Sequence, residues 1–465
     1  MKFKLQYKLL AACVLHKTQI FLLFLVFLHC PFQVMASSDS LDLNTDTSLK
    51  PLAQSLPGEG ADLTLRDVLQ LMLQNNPELA SFSKEIVAFE GTKLQASKFR
   101  NPDFTVEAED VNSSHPAQQR FTTFRISQLI ELGGKRRARM EVASRGQELA
   151  DKSYEVKKLE LIARTANTFI DVLAGQERVR VAEETLQVTQ KVVDSAYKRV
   201  ESGKAPPIEE TRSRVALSTA NIELEQARRD LASARTQLSL LWGSATHQFG
   251  KVLGDLESTV MIPAFEVLEQ HILNNPLAQH GTTNVEHRKA MIELEKSRRI
   301  PDVTLGGGVR RYLITDDTTA VLNLSIPIPV FDRNQGNLQE AYQRLNKAKD
   351  ERMAVDLLLR TELTRAYQAG LAAQNEIKLL HDEVLPGARS AFEVAKRGYE
   401  LGRFSFLEML DAQRALFQNR VLYVRALANY QRLVNEIERL IAAPIDELSD
   451  ITSPRQPGDH EEYKE

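Results

Sequence analysis

The sequence predicts a mainly helical protein with a small β part, organised as two internal repeats, and three observations carry that prediction. A shift of 199 residues superimposes landmarks along most of the chain: NNPELA (Asn75–Ala80) meets NNPLA (Asn274–Ala278), NPDFTVEAE from Asn101 meets IPDVTLGGG from Ile300, and Gly203 meets Gly402. Two stretches, 135–201 and 335–401, carry apolar residues at three-four spacing, which at about 1.5 Å per residue predicts helices of roughly 100 Å. Four short segments of period two predict strands, two in each repeat.

The N-terminus comes first. Lys2, Lys4 and Lys8 precede the apolar run Ile20–Leu28, and Val34-Met35-Ala36 offers a small-residue cleavage site, so residues 1–36 read as a signal peptide with a membrane anchor as the alternative. Both cysteines, Cys13 and Cys30, lie inside it. Cys30 loosely resembles a lipoprotein acylation site, with His29 standing where a small residue is expected. Cleavage after Ala36 leaves no thiol, so disulfides and cysteine metal sites are excluded from the mature chain. Residues 37–61 read as a flexible segment.

The first repeat, 62–260, is expected to hold a helix over about 62–99, strands near 102–110 and 121–130 around a polar loop, the long helix 135–201 and a return helix 207–241. The second, 261–445, repeats that order: a helix over about 264–299, strands near 301–311 and 319–330, the long helix 335–401 and a return helix 406–441. A flexible tail, 446–465, follows. Within the first long helix Leu159, Ile162, Ala166, Phe169 and Leu173 keep one stripe, and Gly175 breaks its register. Glycine turns at Gly203 and Gly402 send each return helix back antiparallel. Pro386 predicts a kink that the first repeat lacks.

In the first strand Phe104, Val106 and Ala108 point one way and Asp103, Thr105, Glu107 and Glu109 the other; in the fourth, Ala320, Leu322, Leu324 and Ile326 alternate with Val321, Asn323 and Ser325. Beyond the signal peptide no window of 18 apolar residues exists, so only a closed β-barrel could cross a membrane. Four strands cannot close one, and open edges are intolerable in hydrocarbon. Three chains would supply twelve strands around a polar lumen.

These features together with QLIELGGKRRAR after the second strand and FSFLEMLDAQRAL after the second glycine turn resemble the TolC family of outer-membrane efflux channels. The IELGGKR segment is similar to the CzcC-like branch serving heavy-metal pumps of the RND class. The resemblance covers about residues 62–445 and implies a homotrimer with a twelve-stranded barrel in the outer membrane and a helical tunnel in the periplasm. It further implies a periplasmic adaptor (membrane fusion protein) and an inner-membrane RND pump as partners, and divalent cobalt, zinc or cadmium cations as the exported substrate.

By the same resemblance Gly203, Lys204, Gly402, Arg403 and Ser405 are adaptor-contacting helix tips, and Glu408 and Asp411 form the pore constriction. Carboxylates three apart share a helix face, and threefold symmetry makes each a ring. Glu408 departs from the family's usual aspartate. Gly133, Gly134, Lys135 and Arg136 become the barrel-to-helix junction, where Lys135, Arg136, Arg137 and Arg139 face anionic headgroups or carboxylates of a neighbouring chain. In the second repeat Pro327 and Pro329 replace the glycines.

Other chemistry finds little support. A net charge of −3 gives no nucleic-acid signal. His115, His247, His271, His280, His287, His381 and His460 lack metal-ligand spacing, and neither a nucleophile motif nor a phosphate loop is present, so no enzyme, cofactor or resident metal is expected. The glycines 306–308 read as barrel packing and Trp242 as a packing residue. A multidrug or type I secretion channel stays open as an alternative substrate class, and a periplasmic coiled-coil adaptor or scaffold as an alternative of another kind.

Overall fold

The structure, a computed structural model, describes residues 60–110, 120–246 and 248–452. The residues expected to form the signal peptide, with Cys13 and Cys30, those that follow as far as residue 59, residues 111–119 with His115, His247, and the residues beyond 452 with His460 lie outside the described residues. In chain order the elements are β1 (Leu63–Thr64), α1 (Leu65–Asn75), α2 (Pro77–Ser97), β2 (Asp103–Glu109), β3 (Phe121–Ile130), α3 (Lys135–Glu201) and α4 (Pro207–Leu240). They continue with β4 (Val252–Leu253), α5 (Phe265–His271), a 3-10 turn Ile272–Asn274, α6 (Pro276–Arg298), β5 (Val303–Tyr312), β6 (Thr318–Ser325), α7 (Gln335–Leu379), a π turn Leu380–Val384, α8 (Leu385–Glu400), α9 (Phe406–Ile441) and α10 (Ile445–Thr452).

The helix expected over 62–99 is two helices, and so is that over 264–299. Each breaks at its Asn-Pro pair: Asn76 and Asn275 sit in extended backbone, and Pro77 and Pro276 open the following helices. A residue before proline is driven out of the helical region, while proline suits the first helical position. Each asparagine side chain then accepts from a first-turn amide, Asn76 from Leu79 at 2.9 Å and Asn275 from Leu277 at 2.8 Å.

The long helix α3 runs unbroken for 67 residues. Its neighbours succeed one another along its length, α2 and α6 toward the sheet, α4 and α9 toward the glycine turns. Gly175, where the apolar register slips, lets Leu231 of α4 approach; a Cβ there would stand 3.1 Å from Leu231 Cδ1. The second long helix is not continuous. Pro386 has no N–H to donate to the carbonyl four residues back, and the chain takes up the defect as a π turn just before it.

The four barrel-type strands form one antiparallel sheet in the order β2-β3-β5-β6. The two repeats meet at its centre, with Phe121 opposite Tyr312 and Ile130 opposite Val303. The fourth strand ends at Ser325 rather than 330, because Pro327 and Pro329 can donate nothing to a ladder. A second, two-stranded parallel sheet pairs Leu63 with Val252 and Thr64 with Leu253, an element with no sequence periodicity to announce it.

The packed interior lies around the middle of the long helices. One cluster joins Val68, Met72, Leu161, Phe169 and Leu238 with Trp242, which is buried against the Phe249 ring. A larger one joins Leu359, Leu363, Tyr430, Ile437 and Ile441 with Leu256 and Ile262 of the segment linking the repeats. That segment is strapped down by Tyr430, whose hydroxyl donates to the Val260 carbonyl, and by Gln431, whose amide donates to the Ser258 carbonyl at 2.7 Å. Among the described residues no helix is long and apolar enough to cross a membrane.

Candidate functional site: an amphipathic sheet, its weld to the helices, and the helix tips

Cross-strand register sorts the four-stranded sheet into two chemically distinct faces. Phe104, Val106, Phe124, Ile126, Leu305, Leu322 and Leu324 share one face and are exposed, Leu322 to 88%. The other carries Arg125 paired with Glu107 at 3.1 Å, and Arg310, which stacks on Phe121 and donates to Thr123 Oγ1 at 3.1 Å. A face of exposed aliphatic and aromatic side chains is costly in water and at home in hydrocarbon. The triple glycine lies in β5, where a Cβ on Gly308 would fall 2.1 Å from the Phe124 carbonyl oxygen. The outer strands β2 and β6 each keep one unpaired edge.

The weld follows β3. Gly133 and Gly134 both take left-handed backbone, φ 69° and 73°, which costs an L-residue roughly 1 kcal/mol or more. Gly133 is also crowded, since a Cβ would lie 2.8 Å from Ile300. Lys135 then reaches across the repeats to Asp302 at 2.6 Å, and Arg139 closes a bidentate pair with Glu131 at 2.6 and 3.1 Å. Arg136 Nε donates to the Ser97 carbonyl at 2.7 Å and Arg139 Nε to that of Ala96 at 3.3 Å, so the basic run caps the end of α2. Of the four cations expected to face outward, Lys135 and Arg139 are therefore neutralised by ion pairs within the chain, and Arg136 is held there through its Nε. In the second repeat the turn belongs to Asn334 at φ 59°, not to the prolines, and its amide donates to Glu295 Oε2 at 2.7 Å. Asparagine is among the few side chains that tolerate this backbone.

At the opposite end of the long helices, Gly203 and Gly402 make left-handed turns at φ 68° and 72°. Lys204 N–H donates to the Arg199 carbonyl and Arg403 N–H to that of Gly398, both at 2.8 Å, closing the helix ends in the same way. Ser405 and Glu408 form a capping box: the Ser405 amide donates to Glu408 Oε2 at 2.7 Å, and Glu408 N–H donates to Ser405 Oγ at 3.3 Å. The amide and hydroxyl of Ser405 hold the Glu408 carboxyl below its ordinary range, so it stays ionised. Asp411, one turn on and also exposed, pairs with Arg414 at 3.3 Å.

Three residues that the sequence did not single out join the two turns. Arg199 donates to the Tyr399 carbonyl at 3.0 Å and stacks on its ring, and the Tyr399 hydroxyl donates to Glu209 at 2.8 Å. Burial pushes the Tyr399 phenol above its ordinary range, and Glu209 adds to the shift. No local pattern could have found a bond between residues 190 apart. Among the described residues no group of three or more histidine and carboxylate side chains could hold a metal ion.

The outer membrane efflux protein family matches residues 68–244 and again 267–443. The chain belongs to that family. Its two matches are the two repeats, and efflux proteins of this kind are passive outer-membrane channels rather than enzymes. The chain is similar to the cobalt-zinc-cadmium resistance protein CzcC of Cupriavidus metallidurans, with 36% identity over 86% of this chain and 94% of that one. It is also similar to the nickel-cobalt-cadmium resistance protein NccC of Alcaligenes xylosoxydans xylosoxydans, with 29% identity over 61% of this chain and 64% of that one. Among solved structures, that of CusC superposes with a TM-score of 0.71 at 18% identity, covering 84% of this chain and 95% of its own, a likeness of fold. Membership of this family locates the chain: it stands in the outer membrane with its long helices in the periplasm.

Proposed function

We propose that three copies of the chain form the outer-membrane conduit of a tripartite efflux system that releases divalent heavy-metal cations received from a periplasmic adaptor and an inner-membrane RND pump. The observation that carries this reading is the four-stranded sheet, apolar on one exposed face and open at both edges. Three such sheets joined edge to edge make twelve strands, enough to enclose a lumen lined by Arg125, Glu107 and Arg310. Ile208, Val215 and Ile222 of α4 support it. They are exposed at seven-residue spacing, the stripe by which one helix packs on another. The names of the CzcC and NccC relatives favour metal cargo.

At the tip, Glu408 and Asp411 would become two acidic rings that draw cations toward the constriction and repel anions. Gly203, Lys204, Gly402, Arg403 and Ser405, presented at the helix turns, would meet the adaptor. A conduit needs no tight metal site, because strong binding would slow release. The test is a deletion strain challenged with cobalt, zinc, cadmium, nickel, copper and silver salts beside dyes and antibiotics. Metal sensitivity restored by the intact gene is expected; sensitivity to drugs alone contradicts the metal assignment.

A further inference from the structure

The weld carries an unspent surplus of positive charge beside exposed apolar side chains. Its carboxylates are taken, Asp302 by Lys135 and Glu131 by Arg139. Arg136 and Arg137 have no ion pair among the described residues, and Lys98 and Arg100 next to them are exposed. Arg136 lies 4.1 Å from the centroid of Phe99, whose ring is 73% exposed. Leu132 and Met140 are exposed nearby, and Leu132 follows two residues after Ile130, the exposed residue that ends β3.

Resting on the reading of that face as lipid-facing, we infer that this rim is a binding site for an anionic phospholipid. Arg136 and Arg137 would engage the headgroup phosphate, and Phe99, Leu132 and Met140 the upper acyl chains. The order of groups fits the occupant: hydrocarbon-facing side chains end where uncompensated guanidinium groups begin. A planar guanidinium already stacked on an aromatic ring keeps its outer N–H groups for a phosphate oxygen. Two basic residues beside an anionic membrane surface give a preference of roughly tenfold or more. A protein partner would instead be expected to bring carboxylates to the same arginines.

The intact mature chain is placed in discs of phosphatidylcholine and in discs of equal parts phosphatidylcholine and phosphatidylglycerol. Native mass spectrometry then counts retained lipids. Retention of phosphatidylglycerol over phosphatidylcholine is expected, reduced about tenfold by Arg136→Gln with Arg137→Gln and weakened by salt. The Arg136→Lys, Arg137→Lys pair should keep most of the preference, which separates charge from folding. Equal retention of both lipids by the wild-type trimer overturns the inference, as does a Gln pair that releases the trimer in lipid-free detergent, because the arginines would then serve a neighbouring chain. A wild-type chain that enters neither disc sinks the barrel reading itself, and the inference with it.

Discussion

Asn76 and Asn275 hold matching posts in the two repeats: each is buried, and each joins the start of one helix to the end of another 165 residues further along the chain. Asn76 Nδ2 donates to the Leu241 carbonyl at 2.8 Å, and Asn275 Nδ2 to that of Leu440 at 3.0 Å, while both side-chain oxygens cap the helix that follows. The conspicuous NNP landmark is therefore a clamp between the return helix and the helix that leads to the sheet. Asn76→Ala loses the cap, worth about 1 kcal/mol, and the donor, leaving a buried carbonyl unpaired at a further cost of about 1 to 3 kcal/mol. Asn76→Asp keeps the capping oxygen but turns a carboxylate oxygen toward that buried carbonyl, so it should recover little of the loss. Thermal unfolding is expected to place both variants well below wild type, with the same result at Asn275.

Gly133 and Gly134 share left-handed backbone but not surroundings. Gly134→Ala meets open space and should cost about 1 kcal/mol through its φ alone, whereas Gly133→Ala also collides with Ile300 and should lower yield and melting temperature more. Gly134→Asn is expected to be nearly neutral, since Asn334 performs the corresponding turn in the second repeat. Equal effects of the two alanines would contradict the crowding argument.

The bond between Tyr399 and Glu209 ties the two tip turns together, so Tyr399→Phe, which keeps the ring against Arg199 and Phe406, should loosen them selectively. A severalfold rise in resting conductance in planar bilayers, with unchanged trimer yield, is the expected outcome. Conductance equal to wild type would remove Tyr399 from any role in holding the tip shut.

Acid should act at the second turn through Glu408. Its folded pKa lies below the ordinary glutamate value of 4.5, so the capping box contributes stability above that value and loses it as pH falls through the folded one. Resting conductance should therefore rise below about pH 4.5. Glu408→Gln keeps a side chain able to complete the box but cannot titrate, so it should flatten that response. An unaltered pH profile in the Gln variant would assign the acid response elsewhere.

Much of the architecture was legible because long elements advertise themselves. The helix 135–201 stands over Lys135–Glu201, and both return helices fall within a residue of their expected ends, since apolar spacing and glycine turns are local signals. The Asn-Pro breaks are equally local, but apolar spacing continues on both sides of Pro77 and masks them. Pro386 announced a defect without saying that an extra residue would absorb it. The two-residue strands β1 and β4 are too short to show a period. Asn334 hid behind Pro327 and Pro329, which are stronger turn signals. At the sites, what escaped was long-range: Lys135 finds Asp302 in the other repeat, Arg199 finds Tyr399, and the charged run that looked outward is half spent inside the chain.

The central claim is a trimeric outer-membrane channel narrowed by acidic rings, and conductance of the purified chain in planar bilayers tests it most directly, wild type beside Glu408→Gln with Asp411→Asn. The account predicts a trimer of low, cation-favouring conductance, and in the double variant a larger resting conductance with reduced cation preference. A monomer that forms no channel, or a channel whose selectivity ignores both substitutions, would contradict it.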